Sequence, residues 1–276
     1  QLHLRNARMA PPLKAAVGAI PIPKKIPLTK FEQWAGVKSS TAKPAGNLKT
    51  DVLYVQSLLV HWAGKWNACA SDKVPAVFDR PALINGTINH DYHKSTTIKA
   101  IKSFQQKVLQ RKTPGGIVYP NGKSDTALEA IHHSTGSTEL ATSGSKMVHA
   151  VFYFIAGFGP VQINGGKRDE LRQAQLMAKM DDKQLNMYGA NSSYIPKIKA
   201  LPKGANGVQD VAKVEEIIVA ARNAGSFVSH HIGEDAVDIQ IKEGFDMVKA
   251  KKVAKAPGLK FPDETPFGNR CFHINF

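Results

Sequence analysis

The chain has 276 residues, 42% of them hydrophobic and 21% charged, which is enough apolar material for two modest cores and excludes wholesale disorder. A formal net charge of +15 and a pI near 9.7 imply attraction to something anionic: nucleic acid, acidic lipid or a polyanionic cell wall. Only 8 of the 37 basic residues are Arg and no nucleic-acid motif occurs, so nucleic acid is not the expected partner; nor does any stretch approach the ~18 consecutive apolar residues of a membrane span.

Residues 1–46 carry Pro11, Pro12, Pro21, Pro23, Pro27 and Pro44 among Lys and small residues and read as an extended Pro/Lys-rich arm. Beyond it, Val52, Val55, Leu58, Leu59 and Trp62 recur at helical spacing, with Thr50 as the expected N-cap and Asp51 as a favourable first-turn charge. Ser95 or Thr96 is expected to cap a second helix with the stripe Ile98, Ile101, Phe104 and Val108, and Ser124 a third with Leu128 and Ile131. A turn and short extended piece, Thr113 to Val118, lies between these two. The expectation for 47–133 is a small all-α three-helix module.

The Ser-, Thr- and Gly-rich stretch 134–146 has the composition of a flexible linker. From there to residue 276 the pattern is α+β, with a small antiparallel sheet expected. It offers an apolar strand at 148–156, a helix around Asp169–Met180 and a helix at Val211–Asn223 that Gly225 ends as a C′ glycine. Cys69 and Cys271 are far apart and read as unpaired. The basic run Lys249–Lys255 reads as a solvated face in preference to a binding tail.

Within the first region the series Asp51-Val52, Val55-Gln56, Leu58-Leu59, then Thr97, Ala100-Ile101, Phe104-Gln105, then Gly116-Ile117-Val118, Gly122, Thr126 and Leu128 resembles the peptidoglycan-binding repeat of many wall hydrolases. The resemblance covers about 85 residues and is broken by a Trp-containing insertion from His61 to His93 where that family has a short loop. It implies bacterial peptidoglycan as the partner, held in a shallow cleft by amides and aromatic faces. Gln56, Trp62 and Gln105, with Trp66, are the residue types suited to that contact; the alternative is that the glutamines brace the helices and the tryptophans are core.

The segment Ser229-His230-His231-Ile232-Gly233-Glu234-Asp235-Ala236-Val237-Asp238 resembles the Ser-x-His…Gly…Ala-x-Asp signature of the zinc metallopeptidases that include D-Ala-D-Ala carboxypeptidases, L-Ala-D-Glu endopeptidases and murein endopeptidases. The terminal Cys271-Phe272-His273-Ile274-Asn275-Phe276 is similar to that superfamily's closing strand with its second histidine ligand. The resemblance implies Zn2+ held by His231, Asp238 and His273, with a fourth position left open as catalytic zinc requires. Taking His230 as the ligand would instead restore the His-x-x-Gly spacing but put Asp238 one residue late.

Where carboxypeptidase-like members place an acidic residue three positions before the distal histidine, this chain has Arg270, which cannot deprotonate a water. The base must then come from Glu264, Asp263, Glu234 or His230, with Glu264 and His230 as the catalytic candidates. The expected function is a wall-anchored zinc peptidase cutting stem-peptide or cross-link amides, secreted or periplasmic and monomeric, as in an endolysin, autolysin or antibacterial effector. The alternative is a non-catalytic wall-binding or scaffold protein with a degenerate peptidase-like domain.

Overall fold

The computed structural model describes residues 49–88, 94–119, 121–186, 188, 193–233, 235–261 and 271–276. The arm expected at 1–46 lies outside them. Helix α1 (Lys49–Cys69) is the axis of the N-terminal region. Its apolar positions do not stop at Trp62: Trp66 and Cys69 are buried as well, so the helix runs on into the stretch expected as an insertion. Thr50 falls inside the helix instead of capping it. Two short 3-10 turns, Ala76–Asp79 and Pro81–Leu83, return the chain along α1 and bury Phe78 and Leu83.

Helix α2 (Thr96–Lys107) starts as its sequence dictates. The Ser95 hydroxyl accepts from Ile98 N at 3.3 Å, satisfying one orphan amide, and Ile98, Ile101 and Phe104 form the buried stripe. Helix α3 (Lys123–His133) has Gly122, not Ser124, at its N-cap; Ser124 sits in the first turn, where its hydroxyl accepts from Gln105 Nε2 at 3.1 Å. At the other end of α3 the Lys65 ammonium donates to the carbonyls of Ile131 (2.6 Å), His132 (3.0 Å) and Ser134 (2.6 Å). A cation on the last carbonyls both satisfies them and complements the helix dipole.

The stretch 134–146 is not the flexible connector its composition suggested. Thr135 N donates to Val161 O and Ile163 N to Thr135 O, both at 3.0 Å, and helix α4 (Ser137–Leu140) buries Leu140. Its small residues serve close approach: Gly136 has φ +87°, and a Cβ there would lie 2.1 Å from Ile163 O. The expected strand at 148–156 is also corrected. It is helix α5 (Ser145–Phe158), with Met147, Val148, Val151, Phe152, Phe154 and Ile155 buried. Its less buried positions, Lys146, His149, Tyr153, Ala156 and Gly157, recur at helical spacing, and its 14 residues are a helix's length, not a strand's.

Three short strands follow: β1 (Ile163–Gly165), β2 (Ala236–Gln240) and β3 (Cys271–Asn275), antiparallel in the order β1-β2-β3. With the helices they make an α+β fold. Alternation sends Val237, Ile239, Phe272 and Ile274 into the core against α5, leaving Ala236, Asp238 and Gln240 beside Cys271, His273 and Asn275 on the other face. That core is continuous from Val52 to Ile274, so the N-terminal helices share it with α5, the sheet and helix α10 (Met247–Lys255) instead of closing on their own at residue 133.

A second apolar cluster joins helices α6 (Glu170–Met177), α7 (Asp182–Asn186), α8 (Ile195–Lys199) and α9 (Val211–Asn223) through Met177, Leu185, Ile198, Val214 and Ile218. Asp169 and Asp210 cap α6 and α9, and Gly225, at φ +71°, ends α9 as expected, its N–H donating to Arg222 O at 2.9 Å. Among the described residues no helix is long and apolar enough to cross a membrane.

Candidate metal centre

The chain leaving α9 is tied to the second cluster by Val228 and Ile232, which bracket the turn carrying His230 and His231. Within that turn Ser229 Oγ accepts from His231 N and Ser229 O from Ile232 N. Asp238 and His273 face each other across β2 and β3 as a register pair, so their side chains emerge on the same face. Together the turn and the two strands bring His231, Asp238 and His273 into one buried cluster whose ligand atoms all lie within 4.8 Å of one another.

The protons of this cluster follow from its partners. His231 Nδ1 is 2.6 Å from Gly166 O, and a carbonyl only accepts, so Nδ1 carries the hydrogen. His231 Nε2 then points at Asp238 Oδ2, 3.3 Å away. Asp238 Oδ1 is 2.8 Å from His273 Nδ1, and Oδ2 also takes Arg168 Nη2 at 2.5 Å. Burial opposes ionisation of Asp238, but the hydrogen bonds from His231 and His273 and the Arg168 charge outweigh it and hold the carboxyl far below the usual carboxylate range. Asp238 is thus paired with His231, His273 and Arg168 at once.

The donor set fits a metal ion. Two imidazoles and a carboxylate are the nitrogen and oxygen ligands zinc accepts, and bonds of about 2.0–2.1 Å in a tetrahedron put ligand atoms about 3.3 Å apart. The Nε2 to Oδ2 separation matches that edge. The Nδ1–H to Gly166 bond is the outer hydrogen bond that ligand histidines make to fix tautomer and ring orientation.

Gly166 is itself held in place by α4: a Cβ on it would lie 2.0 Å from Glu139 O, so only glycine lets its carbonyl reach His231. Thr142 Oγ1 accepts from Lys167 N at 3.0 Å and Arg168 N donates to His231 O at 3.1 Å. The segment expected as a linker is therefore a wall of the site. Neither Gly166 nor Arg168 was identified from the sequence. The only signal was a Gly-Gly-Lys-Arg step in front of α6, in a chain where Arg is scarce.

The remaining candidates fare differently. His230 is exposed and outside the cluster; desolvation of its ring, then the charge at His273, lower its pKa below the ordinary histidine value. Glu264, Asp263, Glu234 and Arg270 lie outside the described residues. Gln56, Trp62 and Gln105, expected to touch glycan, are corrected: each is fully buried at 0% exposure and offers no surface to a polymer.

The glutamines brace loops. Gln56 Oε1 accepts from Asn85 N and Gly86 N while its Nε2 donates to Thr87 O and Thr97 Oγ1. Gln105 ties Gly116 N and Ile117 O to α2. Trp62 packs edge-on against Phe104 with ring centroids 5.3 Å apart, and Trp66 packs on Phe152 at 5.1 Å while donating to Asp72 O. No family model, curated protein or solved structure matches the chain.

Proposed function

We propose that the protein is a zinc-dependent peptidase acting on bacterial peptidoglycan outside the cytoplasm, with His231, Asp238 and His273 as the metal ligands. The observation that carries this reading is the buried cluster of His231, Asp238 and His273, whose possible ligand atoms all lie within 4.8 Å of one another. Zinc bound there would supply a Lewis acid that polarises an amide carbonyl and acidifies a water.

The chain's own residues have separable tasks. Gly166 orients His231, and the register of β2 and β3 aims Asp238 and His273 at the same point. Arg168 places a permanent positive charge beside the centre, suited to the negative charge that develops on a carbonyl oxygen during amide cleavage. His230, its pKa lowered by desolvation and by the charge at His273, has the chemistry to accept a proton, and Glu264 is the alternative carrier. The wall as substrate rests on the two sequence resemblances and on the strong positive charge.

One observation favours a second reading, a wall-binding protein without turnover. Asp238 already satisfies both oxygens, one on His273 and one on Arg168, so the cluster is electrostatically closed without a metal. Incubation of the purified chain with insoluble sacculi separates the two. The peptidase reading expects new amino termini that appear with time and cease after chelation; binding without release would favour the scaffold.

A further inference from the structure

With Gln56, Trp62 and Gln105 buried, the wall polymer needs another surface. A groove of about 330 Å³ lies where the ends of α3 and α5 meet the turn between β2 and α10, within the size range of small-molecule sites. Its apolar lining includes Phe158 and Phe245, both half-buried, with ring centroids 4.8 Å apart and planes at 39°. Gln162 and Gln240 add carboxamides and are fixed relative to each other by the Gln240 N to Gln162 O bond of 2.8 Å. Lys242 is exposed on the lining, on a turn closed by Phe245 N to Lys242 O at 3.0 Å with Gly244 at φ +77°.

We propose that this groove binds an N-acetylated saccharide that carries a peptide carboxylate, the repeating chemistry of peptidoglycan; the proposal rests on the wall-peptidase reading and gives it a binding subsite. Aromatic faces take the apolar side of a sugar ring or an acetamido methyl. Gln162 Nε2 already donates to Asn164 Oδ1 at 3.1 Å, but its oxygen and the Gln240 carboxamide can pair with an acetamido group, and an apolar ligand would leave the buried Gln240 Oε1 without a partner at a cost. Lys242 supplies the cation for the carboxylate. Glu243, also on the lining, can accept from sugar hydroxyls.

The position relative to the metal centre suits this use. Gln240 follows Asp238 by two residues and stands on the same face of β2, which places the two about 7 Å apart along the strand. The groove and the candidate centre thus share strand β2.

The test is calorimetric titration of the full chain with muramyl dipeptide, beside co-sedimentation with sacculi. Gln240→Leu and Lys242→Glu should each weaken muramyl dipeptide binding at least about tenfold and leave zinc content unchanged. Lys242 is exposed, so that variant keeps the question open to refutation even where a more buried change disturbs folding. Binding unchanged in both variants overturns the groove assignment while leaving the wall reading intact, as does wild-type protein that sediments with sacculi but ignores muramyl dipeptide. Wild-type protein that does neither removes the wall reading and the groove together.

Discussion

Replacing Gln56 by Leu distinguishes a structural glutamine from a glycan-reading one. The side chain is fully buried and accepts from Gly86 N at 2.9 Å while donating to Thr97 Oγ1 at 2.9 Å, and both of those bonds lie in the interior. Leu keeps the approximate volume but leaves an amide N–H and a hydroxyl without their partner. At about 1–3 kcal/mol for each buried polar group left unsatisfied, the expected loss is about 2–6 kcal/mol. The further bonds to Asn85 N and Thr87 O reach partly exposed ground, where water replaces the lost partner at little cost.

Urea unfolding followed by circular dichroism reads the change as a lower midpoint with an unaltered slope. An exposed residue that reads a polymer gives the opposite pattern, within about 0.5 kcal/mol of wild-type stability and with weakened sedimentation on sacculi. That pattern would refute the assignment of Gln56 as a brace.

Two further outcomes follow from the same packing. Lys65→Met removes the ammonium from three carbonyls at the end of α3 and should cost about 1.5–3 kcal/mol in the same unfolding assay, whereas no change would show that water caps that terminus equally well. His132 is pushed down to about 4 by desolvation and by His61, His133 and Lys65, so between pH ~6.5 and 4 the unfolded chain takes up a proton that the folded chain refuses. Stability should therefore fall as pH drops through that window, and His132→Phe should flatten the fall; an equal slope in the variant would place the acid sensitivity elsewhere.

The parts of the fold that the sequence revealed are those whose burial is one-sided. Ile98, Ile101 and Phe104 mark α2 because the opposite side of that helix is polar, and Gly225 marks the end of α9 because only a left-handed residue closes it there. Helix α5 reads as a strand on its apolar content alone, yet His149, Tyr153 and Gly157 recur every four residues along its one less buried side, the others being covered by α3 and α10. The stretch 134–146 was misread because small residues look alike in sequence whether they are chosen for freedom or for contact. Gly136 is there for contact, with a neighbouring carbonyl where a Cβ would be.

The candidate site divides in the same way. His231, Asp238 and His273 were singled out by the resemblance of their two segments to a zinc-peptidase signature, and the register of β2 and β3 sets Asp238 opposite His273. Arg168 reaches Asp238 from 70 residues away in the sequence, and no local pattern reports that meeting. Gln56 and Gln105 show the converse limit, since an amide that reads sugar and an amide that braces a loop are the same letters.

The proposed function stands on the metal, and elemental analysis of the purified chain tests it most directly. It predicts about one zinc per chain, held by three protein donors. His231→Ala, Asp238→Ala and His273→Ala should each lose that zinc, and His230→Ala should keep it. A wild-type chain purified with zinc available that holds none would contradict the account. In that case the cluster is a closed network of hydrogen bonds and ion pairs and not a catalytic centre.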